Sequence, residues 1–159
     1  MEEVVKTEET TELAWRGTRL GALILDCIIL FTLMGPISYF LGIFDYVQNG
    51  QKPPFILTLT NFTISFTLYF AINWKYLKNN AQTIGKYVLN IRIIKLDGSK
   101  PTIKELLLKR YLVLWGFPYI PFIGGILNVI NILFIFRKDH RCIHDLVAGT
   151  KVVESHAEY

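Results

Sequence analysis

Three groups of residues in this chain have the types and spacing to do chemistry. The first is Arg19 with Asp26, in RLGALILDCIILFTLMG at 19–35. Seven residues of helix rise about 10.5 Å and complete nearly two turns, so both side chains lie on one face, with too large an axial gap for a direct ion pair. Arg19 can reach water or headgroups along its aliphatic stem. Asp26 sits deeper, and an ionised carboxylate in hydrocarbon costs several kcal/mol unless it meets a partner, a wet cavity or a proton. Two uses fit: an aspartate that hydrogen-bonds a neighbouring helix, or a carboxylate that binds an ion or proton.

The second group is polar and neutral. Thr58, Asn61 and Ser65 follow helical spacing in FILTLTNFTISFTLYFAINW, and Gly124, Asn128 and Asn131 share a face in GGILNVINILFIF. Small and polar residues so spaced serve helix packing in membranes. Asn61, Asn128 and Asn131 could also converge on Asp26 and hydrate an ion or proton site. The third group is Arg141, His144 and Asp145, with His140 close by. Its spacing is that of no known metal-site class, no second ligand cluster accompanies it, and no serine or cysteine sits in a nucleophile context. Asp145 is better placed to pair with Arg19, as a clamp or gate at one end of the first apolar run.

The elements that must carry these groups are apolar. Hydrophobic residues make up 52% of the 159, charged residues 19%, and the mean hydropathy is +0.35. An ordinary soluble domain carries about 25% charged residues. Residues 20–44 hold one charge, Asp26, while 55–74 and 111–136 hold none. About 20 apolar residues cross a bilayer, so all three runs are long enough. The acidic start, MEEVVKTEETTEL, lacks the features of a secretion signal and is expected to be a disordered tail over 1–12. The membrane domain is expected over 13–154, with 155–159 as a short tail.

Net charge is +4, and its distribution predicts topology. Nine basic residues lie between Lys75 and Arg110, while Lys52 is alone between the first two runs. Basic loops favour the cytoplasmic side, which places the N-terminus and 75–110 there. RKDHR at 137–141 places the C-terminus there too, so the third run must enter and return. Pro118, Pro121 and Gly124-Gly125 offer the break, with helices at 102–117 and 122–136. One long kinked helix with an outside C-terminus is the alternative. Tyr87 to Lys95 reads as a strand, Asp97-Gly98 as a turn, and Thr102 with Glu105 as a capping box. Residues 150–153 can pair with 88–95. Gln82 to Lys86 reads as a turn leading into the strand, with Lys86 near headgroups.

These places together resemble the RDD family of small membrane proteins, named for one arginine and two aspartates. WRGTRLGALILD matches its first helix, with Arg19 and Asp26. AQTIGKYVLNIRIIKLDG at 81–98 resembles its GQTxGK-type loop and strand, with Ala81 where glycine is usual. RCIHDLVAGTKVV at 141–153 resembles its close and sets Asp145 as the second aspartate. The resemblance covers about 13 to 153. It implies little chemistry beyond suggestions of transport, including cation/proton antiport for some members.

The expected protein is an all-α integral membrane protein with about four membrane-embedded helices, two full spans plus a helical hairpin, and a small cytoplasmic β element. Its expected function is cation or proton-coupled translocation through Asp26 in a homo-oligomer surrounded by lipid, since four short segments hardly enclose a path alone. The rival is a non-transporting assembly or scaffold protein. No metal, cofactor, nucleic acid or enzymatic activity is expected.

Overall fold

The structure, a computed structural model, describes residues 12–117, 120 and 122–155. The expected N-terminal tail apart from residue 12, the C-terminal tail beyond residue 155, and the break at Pro118 and Pro121 lie outside the described residues. Two long helices dominate, α1 over Arg16–Phe40 and α3 over Phe55–Asn80. At 1.5 Å per residue each is longer than a bilayer core of about 30 Å. Both satisfy the length and composition of a membrane span. They also turn apolar side chains outward: Phe31 is 74% exposed and Phe55 80%. That separates them from the core helices of a soluble protein, which would hide such faces.

Local signals set where these helices end. Gly42, at φ +71, stops the chain after α1 and starts the short α2, Ile43–Gln48. Pro54 stands at the N-cap of α3, and Ala81 closes it in the left-handed region at φ +53. Glycine adopts that conformation without a Cβ penalty, so the one departure from the family's loop falls on a residue that must bear a positive φ.

Helix α4, Ile84–Val88, follows, capped by Thr83, whose hydroxyl accepts from the Lys86 N–H. This corrects the strand expected over 87–95. The Thr83 cap winds 84–88 into a helical turn, Asn90 reverses at φ +51, and strand β1 runs only over Ile91–Lys95. β1 pairs antiparallel with β2, Thr150–Glu154, with Ile93 opposite Val152. Leu13 bridges Val153 on the other side, and Glu154 N–H donates to Glu12 O. The residues leading into α1 and those ending β2 therefore meet at one end of the molecule.

Between the strands, Thr102 and Glu105 form the capping box of α5, Ile103–Glu105. The helix continues as a π-helix over Leu106–Tyr111 and as α6 over Leu112–Gly116. The wide π turn lets the consecutive Arg110 and Tyr111 both be buried. Farther along the chain come α7, Gly124–Leu133, with a 3₁₀ turn to Phe136, and then α8, Ile143–Ala148. Ten residues rise about 15 Å, half a bilayer core. Two helices long and apolar enough to cross a membrane are thus present, and the expected hairpin helices are short. The core forms where the strands meet the helix ends. Ala22 of α1, Tyr69 and Leu77 of α3, Tyr111, Ile93 and Val152 pack there. Edge-on aromatic contacts, Phe70–Tyr111 at 5.3 Å and Phe66–Trp115 at 5.7 Å, tie α3 to the π-helix and α6.

Candidate functional site: two carboxylates at the end of α1

Asp26 faces inward on α1 and is 7% exposed. Its partners come from the loop after α3. Thr83 Oγ1 donates to Asp26 Oδ2 at 2.5 Å, Gly85 N–H donates to Oδ1 at 2.8 Å, and Lys86 Nζ stands 3.9 Å from Oδ2. The N-terminus of α4 is therefore laid on the carboxylate, as the affinity of helix N-terminal N–H groups for anions favours. Only glycine allows so close an approach at position 85. A Cβ there would fall 2.2 Å from Ala22 O and 2.9 Å from Asp26 Oδ1. Asn73 steadies the loop from α3, its side-chain oxygen accepting from Ile84 N–H at 2.7 Å.

Lys86 is thereby a residue of the site and not a headgroup contact. Its side chain is 15% exposed. Burial pushes its pKa down to about 8, with the Asp26 charge opposing that shift.

Asp145 is fully buried at the first turn of α8, where its carboxylate accepts from Cys142 N–H at 3.0 Å. Arg19 Nη2 reaches Oδ2 at 2.5 Å, and Arg110 bonds Oδ1. Burial pushes the Asp145 carboxyl up, but Arg110, His144 and Arg19 outweigh it and hold the group well below the usual carboxylate range. Arg19 also donates to His140 O, and Arg110 donates to Thr150 Oγ1 at 2.8 Å. One carboxylate thus ties α1, the π-helix, α8 and the start of β2. Arg16 adds bonds from its guanidinium to Ile135 O and Arg137 O, at 3.2 and 3.3 Å, where the helix beginning with α7 ends.

Asn131 accepts from His144 N–H at 3.2 Å and from the ring Nδ1 at 2.9 Å. Burial drives the His144 pKa down to about 3, so the imidazole is neutral and carries its proton on Nδ1. Donor atoms of Cys142, His144 and Asp145 lie within 4.8 Å of one another. This set does not fit a divalent metal, because both Asp145 oxygens are taken by guanidinium groups whose charge repels a cation.

A cavity of about 390 Å³ joins these parts, walled by Arg19, Asp26, Lys86, Arg110, Asn128, Asn131 and apolar side chains of α1, α6 and α7. Three of the four residues expected to converge, Asp26, Asn128 and Asn131, meet there. Asn61 does not. It accepts from Ser38 Oγ at 3.0 Å. Ser38 is about 18 Å along α1 from Asp26, and the antiparallel run of α1 and α3 holds Asn61 opposite it. Sequence reasoning missed Lys86, Thr83, Gly85, Asn73 and Arg110 as site residues. Arg110 follows Lys109 in a basic stretch, and the π turn directs it inward.

A family model described as "RDD family" matches residues 13–149. The chain is 31% identical over 134 residues to "Uncharacterized protein YckC" of Bacillus subtilis (strain 168), a match covering 84% of this chain and 80% of that protein. No solved structure matches.

Proposed function

The chain belongs to the RDD family, and from that premise we propose that it is a multi-pass membrane protein coupling the movement of a small cation to a proton. Its family and its exposed apolar helices make it a membrane protein. The observation that carries the coupling is the Lys86–Asp26 pair, 3.9 Å apart on the cavity wall. With its pKa lowered to about 8, Lys86 exchanges a proton near physiological pH. The neutral amine leaves Asp26 as an uncompensated carboxylate, and a cation entering the cavity replaces the lost positive charge. Reprotonation expels it. Asn128 hydrates the ion, the side-chain oxygen of Asn131 being held by His144, and the Arg19–Asp145–Arg110 cluster is the fixed clamp at the cytoplasmic end.

The meeting of residues 12–14 with β2 supports a hairpin in which 103–116 and 124–136 enter and return, with both termini cytoplasmic by the basic-loop rule. A homo-oligomer supplies the rest of the path.

One observation favours the rival reading of a non-transporting assembly protein: the Thr83 and Gly85 bonds to Asp26 are those of a structural clasp. Flux separates the two readings. Proteoliposomes of the wild type should move protons when Na⁺, K⁺ or Li⁺ is added, and Asp26→Asn should abolish this while keeping its oligomer size. No wild-type flux with any of these ions would count against transport and favour the assembly reading. A cysteine at Ser155 labelled only from outside would overturn the topology.

A further inference from the structure

The cavity carries an unbalanced charge. Lys86 is matched by Asp26, but Arg19 and Arg110 share the single carboxylate of Asp145. His144 is neutral, and the neighbouring Arg16 and Arg141 bond backbone carbonyls, bringing no anion. Five charged side chains therefore leave one positive charge in excess, on side chains 7% exposed at Arg19 and 3% at Arg110. A charge so removed from water calls for a counter-ion. A second observation points the same way: Asn131 Nδ2, fully buried on a cavity-lining residue, is a donor without an acceptor. Beyond this polar end the wall is apolar, formed by Leu23, Leu114 and Ile132 among others. Outside it, Leu112 and Val129 are 58% and 57% exposed, on faces that meet acyl chains.

We infer that this cavity binds an anionic phospholipid, its monoanionic phosphodiester against Arg19, Arg110 and Asn131 Nδ2 and the first part of a chain along Leu23, Leu114 and Ile132. A volume of about 390 Å³ lies within the range of small-molecule sites and takes a head with a short stretch of chain, not a whole lipid. The bilayer presents such heads at high density to the end of α1. Basic pockets between membrane helices hold them by charge-assisted hydrogen bonds, which a zwitterionic head answers poorly. The inference rests on membrane residence and not on ion movement.

The test is native mass spectrometry of the full chain in an uncharged detergent, with phosphatidylglycerol, phosphatidylcholine of the same chains, or oleate added. Phosphatidylglycerol should be retained about tenfold better than phosphatidylcholine. Ile132→Glu, which brings an anion into the cavity, should lose that preference, while Ile132→Gln keeps it. Equal retention of the two phospholipids, or retention of neither, overturns the proposal without any variant. Retention of oleate alone overturns the phosphodiester head, and an Ile132→Glu protein that still selects phosphatidylglycerol overturns the location.

Discussion

Gly85→Ala probes the close approach of α4 to the backbone of α1. The added methyl would lie 2.2 Å from the Ala22 carbonyl oxygen and 3.0 Å from Asp26 Cγ. The obstacle is helix backbone, so no side-chain rotation relieves it, and α4 must withdraw from α1. Overpacking of this kind costs about 1–3 kcal/mol. Withdrawal also lengthens the 2.8 Å bond from Gly85 N–H and the 2.5 Å bond from Thr83 Oγ1. Hydrogen bonds to a charged group contribute about 1.5–3 kcal/mol each. Loss of one such bond with the overpacking gives a destabilisation of about 4 kcal/mol. At 2–4 °C per kcal/mol for a chain of this size, Tm falls by about 10 °C. Unfolding followed by tryptophan emission in detergent measures it, with Gly21→Ala as the control. There the nearest atom is the flexible tip of Leu89, at 3.2 Å. A Gly85→Ala protein melting within 2 °C of wild type would refute the clasp between α4 and Asp26.

Asp145→Asn keeps the shape but leaves Arg19 and Arg110 buried without their shared anion, so about 3–5 kcal/mol should be lost and folded protein should fall in membrane extracts. Stability should also drop in acid. The unfolded His144 gains a proton near pH 6.5, whereas the folded ring resists down to about 3. Below 6.5 the unfolded state thus binds more protons, and stability decreases as pH falls through that window. Between pH 7 and 5 the loss is about 2 kcal/mol, read as a Tm shift that His144→Gln should largely remove. Lys86 acts in the alkaline range. From about 8 to 10.5 the unfolded chain holds a proton that the folded chain has released, so stability rises with pH there, and Lys86→Gln should lack the rise.

The membrane class of the chain was readable because hydrocarbon demands long uncharged runs, and α1 and α3 are such runs. The partner of β1 was readable from the β-branched residues of 87–95 and 150–153, and the Thr102–Glu105 cap from local spacing alone. The pairing of Arg19 with Asp145 followed from two opposite charges expected at one membrane face. What escaped depends on approach in three dimensions. Thr83, Gly85 and Lys86 look like an ordinary turn until the return of α3 lays them on α1. Arg110 turns inward because a π turn shifts its register, and no local signal marks that turn. Asn61 matched its helical stripe but belongs to the far end of the helix pair, because periodicity reports a face and not a depth.

The central claim is that the loop after α3 buries its lysine against the aspartate of α1. Nitrogen NMR of ¹⁵N-lysine protein in lipid nanodiscs, with Lys86→Arg for assignment, measures that directly. The account predicts a Lys86 midpoint of about 8, moving lower in Asp26→Asn as the opposing negative charge is removed. A midpoint at the ordinary lysine value of 10.5, unmoved by Asp26→Asn, would contradict it.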